Sequence, residues 1–166
     1  MTQLIHLDIH PDLESPALRD LVLPERPLWS PRQLRDLTAS IIANDAARLH
    51  AVARYTEPDR WWIRLALTRG VEVWLLTWLP GQGTRPHDHG GAAGSFTVLT
   101  GAVTEHHRYP GGPIRVRYLR AGQGIGFGGD RAHVVRNETG QPAATVHAYS
   151  PSLLPTREYQ SLEEIR

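Results

Sequence analysis

The sequence predicts a mainly β fold, a small barrel or sandwich, behind a helical N-terminal part. Three observations carry this. From about residue 61 the chain breaks into short runs rich in Val, Leu, Thr, Trp and Tyr, punctuated by Gly and Pro. Before residue 60, apolar residues instead recur at helical spacing behind a helix-start signal. The chain has 166 residues, 40% of them hydrophobic, which is one domain's worth and enough to bury a core without staples. Without a long linker between the parts, residues 1–166 are expected to form a single domain.

Residues 1–60 are read as the helical part. A short helix is expected between Asp12 and Leu23. A longer one starts at Ser30-Pro31, where Ser30 caps and Pro31 suits the first helical position. Leu34, Leu37, Ile41, Ile42, Ala46, Leu49 and Val52 form its apolar stripe. Arg32, Arg35, Asp36, Asp45 and Arg48 form its polar face. Glu57-Pro58-Asp59 closes this region, because the residue before Pro is pushed away from helix. Strands are expected at residues 72–79, 95–100, 102–109, 114–119, 124–127, 132–136 and 143–150. The turns between them include Pro80-Gly81-Gln82-Gly83, Pro110-Gly111-Gly112-Pro113 and Gly128-Gly129-Asp130. The tail from Pro151 is polar, acidic near its end, and expected on the surface.

Composition narrows the chemistry. All 18 basic residues are Arg, so Schiff-base and lysine-base reactions are excluded. Cysteine is absent, which removes disulfides, thiolate metal sites and cysteine nucleophiles. A net charge of +1 argues against a nucleic-acid partner. No apolar run is long enough for a membrane span, and no signal peptide is visible, so a cytoplasmic location is expected. A monomer is the expected state, with a weak homo-oligomer as the alternative, and a small molecule is the expected partner.

Nine histidines stand out: His6, His10, His50, His87, His89, His106, His107, His133 and His147. Without Cys, any transition-metal site must use imidazole and carboxylate. His87 and His89 sit at i and i+2, which on a strand places both imidazoles on one face. A third ligand must come from elsewhere, and His133 and His147 both lie on expected strands. His106 and His107 are adjacent, point to opposite faces and read as ordinary sheet residues. His6, His10 and His50 read as surface residues.

Two blocks resemble the signatures of the cupin superfamily. The first is Gly81-x5-His87-x-His89-x4-Gly94-x6-Gly101, and the second is Gly122-x5-Gly128-x-Asp130-x2-His133-x3-Asn137. The resemblance implies a cupin-type small β-barrel, a double-stranded jelly roll. The usual Glu ligand near position 94 is replaced by Gly94, which leaves three neutral ligands, His87, His89 and His133. A divalent iron there keeps its full charge and open positions, and an anionic thiolate suits it. Asp88, between two ligands, points away and is expected to orient backbone.

The segment from Trp78 through Gly81-Gln82-Gly83-Thr84-Arg85-Pro86 to His87-Asp88-His89, with His147-Ala148-Tyr149-Ser150-Pro151, resembles the type I cysteine dioxygenases. The resemblance runs from Trp61-Trp62-Ile63-Arg64 to about Tyr159. It implies an enzyme that uses Fe(II) and O2 to oxidise the thiol of L-cysteine to a sulfinate. It further implies Arg64 as the carboxylate clamp, with Trp62 near the pocket where the family has Tyr. Arg60 and Arg157 compete with Arg64 for that role. Tyr149, His147 and Thr145 match an active-site hydroxyl relay, alternating on one strand face. Mammalian members carry a Cys that crosslinks to the active-site Tyr, and here its position is Gly94. Alternative expectations are another small thiol, such as 3-mercaptopropionate or a bulkier one, and a metal-binding cupin without oxygenase chemistry.

Overall fold

The computed structural model describes residues 7–166. His6 lies outside the described residues. Among these, two antiparallel sheets face each other, with two helices against one of them. The strands are β1 (Leu7–Ile9), β2 (Trp62–Thr68), β3 (Glu72–Trp78), β4 (His87–Asp88), β5 (Ala93–Thr100) and β6 (Ala102–Arg108). They continue with β7 (Arg115–Arg120), β8 (Gly124–Phe127), β9 (Ala132–Arg136), β10 (Ala143–Ser150) and β11 (Arg157–Glu158). The six-stranded sheet runs β1-β2-β3-β10-β5-β8, and the five-stranded sheet runs β11-β4-β9-β6-β7.

The helices are α1 (Pro16–Val22) and α2 (Pro31–Val52). A reciprocal cap starts α2. The Ser30 hydroxyl accepts from the Gln33 N–H at 3.3 Å, and the Gln33 side chain accepts from the Ser30 N–H at 2.9 Å. Leu34, Leu37, Ile41 and Leu49 then bury against Leu65, Val73, Leu75 and Val146 of the six-stranded sheet. The barrel interior is a second core, built on Trp78, Phe96, Val98, Val103, Phe127 and Val135. Strand β10 separates the two cores by its alternation. Ala144, Val146 and Ala148 face the helix, while Thr145, His147 and Tyr149 face the barrel.

Several expectations change. Residues 1–60 are not wholly helical, because Leu7–Ile9 pairs with β2 and extends the sheet. The long helix itself does end at Val52, the last residue of its expected stripe. Asp45 is buried and breaks the helical backbone at φ −125°, so it does not belong to the polar face. Strand β2 was not expected: Leu65 through Thr68 are all buried, so it lacks alternation. The C-terminal tail is not simply a surface segment. Arg157–Glu158 pairs with β4, and Leu162 and Ile165 bury against Ala132.

Candidate metal centre

Two paired strands, β4 and β9, bring the histidines together. His87 lies on β4 opposite His133 of β9, and His89 follows just beyond β4. Their ligating nitrogens all lie within 4.8 Å of one another. His89 Nε2 and His133 Nε2 are 3.1 Å apart. His87 Nδ1 lies 2.8 Å from the Arg85 carbonyl, so that nitrogen carries the proton and Nε2 is left as a lone-pair donor. His133 Nδ1 lies 2.8 Å from Glu105 Oε1, with the same consequence. Burial, and then the neighbouring imidazoles, hold His89 far below the ordinary histidine range. Burial chiefly, with His133 next, holds His87 at about 4. Converging imidazoles, two of them with their far nitrogens tied back, fit a divalent transition metal.

Position 94 explains the missing carboxylate sterically. A Cβ there would meet the Phe127 ring at 2.4 Å and Tyr149 Cδ1 at 3.0 Å. Phe127 cannot retreat easily, since it is buried against the His133 ring at 5.2 Å. The space that a fourth ligand's side chain would occupy is filled by Phe127.

A relay runs along β10. Trp78 Nε1 donates to Thr145 Oγ1 at 2.8 Å. Thr145 Oγ1 is 2.8 Å from His147 Nε2, and His147 Nδ1 is 3.0 Å from the Tyr149 hydroxyl. Burial above all holds His147 neutral and pushes the Tyr149 phenol well up. The Tyr149 ring stacks on His89 with centroids 4.1 Å apart. A cavity of about 520 Å³ opens onto this relay and the three histidines, and its wall includes Arg60, Trp62, Glu72, Trp74 and Leu76.

Arg64 does not reach this cavity. Its guanidinium lies 3.4 Å from Asp8 of β1, in a neighbouring cleft, because β1 pairs beside β2 there. Arg60 takes the place on the cavity wall. It is half-buried, its guanidinium lies 4.8 Å from the Trp78 ring centroid, and its charge is felt by Tyr149, His147 and His87. Arg157 is exposed on β11, opposite Asp88, and lines a different cleft that none of the three histidines lines. Trp62 does line the cavity, edge-on to Trp74 at 5.4 Å. Asp88 behaves as expected, accepting from the Gly90 N–H at 2.8 Å and from the Tyr159 hydroxyl.

Three residues were missed. Glu105 is fully buried behind His133, where it also accepts from Arg131 at 2.6 Å. His107, read as an ordinary sheet residue, is buried with Nδ1 3.4 Å from Glu105. Burial pushes the Glu105 carboxyl up, but the close His107 imidazole, the bond from His133 and the charges of His133 and Arg131 outweigh it, holding it near 2. The i, i+2 spacing of Glu105 and His107 was the available signal. The third missed residue is Glu72, buried on the cavity wall.

The fold and the three-histidine cluster define a cupin with a metal-binding site. Structural comparison agrees. A protein of Thermus thermophilus, TT1209, superimposes with a TM-score of 0.54 at 26% identity, over 62% of this chain and 93% of that one. A conserved Klebsiella pneumoniae protein with a double-stranded β-helix domain gives 0.57 at 18% identity, over 68% and 95%. Oxalate decarboxylase from Bacillus subtilis gives 0.57 at 14% identity, over 67% and 30%. No curated protein matches the sequence. The profile of cysteine dioxygenase type I matches residues 33–161, more than half of the chain, and the protein belongs to that family. Among the described residues, no helix is long and apolar enough to cross a membrane.

Proposed function

We propose that the protein is a non-haem iron(II) thiol dioxygenase, with L-cysteine as the first substrate to test. The observation that carries this reading is the three-histidine cluster without a carboxylate, set beside a cationic wall residue and a phenol. The reaction is R–SH + O2 → R–SO2H. Sulfur loses four electrons, dioxygen takes them, and both oxygen atoms end on sulfur, so no outside reductant is needed. His87, His89 and His133 would hold the metal, which when bound supplies the electron path between thiol and dioxygen.

The chain's own groups do the rest. Arg60 has no carboxylate partner among the described ion pairs, and it offers a fork of donors to a substrate carboxylate. The relay sets the Tyr149 proton. Thr145 is wholly buried, and its oxygen accepts from Trp78, so its own proton goes to His147 Nε2. His147 is then protonated at Nδ1 and donates to the Tyr149 oxygen. The Tyr149 proton is left free to point into the cavity at developing negative charge. Trp62 and Trp74 form an apolar wall on one side of the cavity.

The test is anaerobic loading with Fe(II), then addition of L-cysteine or 3-mercaptopropionate in oxygenated buffer. Oxygen uptake with a product heavier by two oxygens is expected with cysteine. A preference for the amine-free thiol would keep the chemistry and change the substrate. No uptake by iron-loaded protein with any small thiol would leave a metal-binding cupin of another activity. Location in the cytoplasm and action as one domain complete the proposal.

A further inference from the structure

Arg60 occupies one end of the cavity wall, and the other end has no task in the thiol chemistry. On β3, residues 72, 74, 76 and 78 all face inward and line or adjoin the cavity. Arg60 sits over Trp78 at one end of this row. Glu72 stands at the other, opposite Tyr149 in the β3–β10 ladder. The Tyr149 hydroxyl feels the charge of both, so both heads face one cavity. The cavity therefore has a cation at one end and a carboxylate at the other.

Glu72 is short of positive charge. It is 8% exposed, and it accepts from the Leu153 N–H at 3.2 Å and from the Trp74 side chain. The cation that acts on it, Arg64, is bonded to Asp8 and lies 5.8 Å from the Trp74 ring centroid, outside this cavity. Burial pushes the Glu72 carboxyl up against all of these. Beside it, Trp62 and Trp74 stand edge to face at 5.4 Å, a surface that also favours a cation. The volume, about 520 Å³, falls among sites that hold drug-sized ligands, about 300–1,000 Å³, and exceeds what free cysteine fills.

We propose that this cavity takes an extended zwitterionic thiol, a cysteine whose amino group is carried outward by an added residue. Its carboxylate meets Arg60, its thiol meets the three histidines, and its ammonium meets Glu72 and the Trp62–Trp74 edge. An aminoacylated cysteine such as glycyl-L-cysteine has this chemistry. The inference rests on the thiol-binding reading above, but not on turnover.

Two measurements separate them. Thiol binding is followed anaerobically on the cobalt(II)-loaded protein through the thiolate-to-cobalt absorption band. Glycyl-L-cysteine is compared with N-acetyl-L-cysteine, which has similar length and no ammonium. A charged hydrogen bond should favour the glycyl compound by roughly tenfold or more. That ratio should collapse in Glu72→Gln and shrink in Glu72→Asp, each ratio being measured within one protein. Equal affinities in the unsubstituted protein would overturn the proposal whatever the variants do. A preference that survives both substitutions would overturn it too, as would the absence of any thiolate band. Oxygen uptake by the iron-loaded protein is scored separately. Uptake with cysteine but no charge preference would sink this inference alone. Charge preference without uptake of oxygen would sink the dioxygenase reading and leave this one standing.

Discussion

Removing Glu105 tests how far the carboxylate behind a ligand governs the metal. Glu105 is fully buried and holds two partners at once, His133 at 2.8 Å and Arg131 at 2.6 Å. In Glu105→Ala, His133 Nδ1 loses its acceptor, and the ring is free to change tautomer or turn. Loss of such a partner costs about 10- to 100-fold in metal affinity, or roughly 1.4–2.7 kcal/mol. Arg131 is only 3% exposed and loses its carboxylate as well. Orphaning a buried charge costs about 3–5 kcal/mol of folding stability. Glu105→Gln separates the two effects, because an amide can accept from one partner only and carries no charge. Metal affinity is measured by competition with a chromophoric chelator, and stability by urea melts of the metal-free proteins. A folded Glu105→Ala protein binding metal within twofold of the unsubstituted one would refute the reasoning.

Other substitutions address the remaining parts. Tyr149→Phe should lower turnover by about 100-fold at unchanged metal content, since it removes one donor at the reacting centre; equal loss of metal would show a structural role instead. Arg60→Gln should raise KM for a carboxylate-bearing thiol about tenfold or more, while Arg64→Ala, in the neighbouring cleft, should change KM less than Arg60→Gln does. Gly94→Ala should cost about 1–3 kcal/mol by overpacking, read as a lower melting midpoint, because its Cβ would sit 2.4 Å from Phe127. Ile41→Ala, at a position 1% exposed under α2, should cost about 2–5 kcal/mol in a denaturant titration and leave the metal ligands in place.

The barrel and the His87/His89 pair were legible from local spacing, and the resemblance to the cupin blocks then singled out His133 over His147. Gly and Pro mark the turns, and His87, His89 and His133 fall at fixed distances from them. The short strands β1 and β11 were not legible. Three residues and two residues carry no period of their own, and their pairing is decided by partners far along the chain. The placement of Arg64 in the neighbouring cleft was hidden for the same reason. Arg60 and Arg64 have the same parity on an extended segment, and Asp8, which draws Arg64 away, lies on an unexpected strand. Glu105 and Glu72 read as ordinary polar strand positions. Nothing in a single sequence tells a carboxylate facing solvent from one facing a buried imidazole or a cavity.

Gly94 has a consequence for how the protein becomes competent. In relatives with a cysteine at that place, a covalent bond to the tyrosine adds a step after folding. Here Tyr149 packs against a bare backbone, and the chain contains no thiol anywhere. The active centre is therefore in its final covalent state as soon as the chain has folded and taken up metal. A catalyst that oxidises thiols has none of its own to lose. Its progress curves should start at full speed, without a lag that shortens as earlier turnovers accumulate.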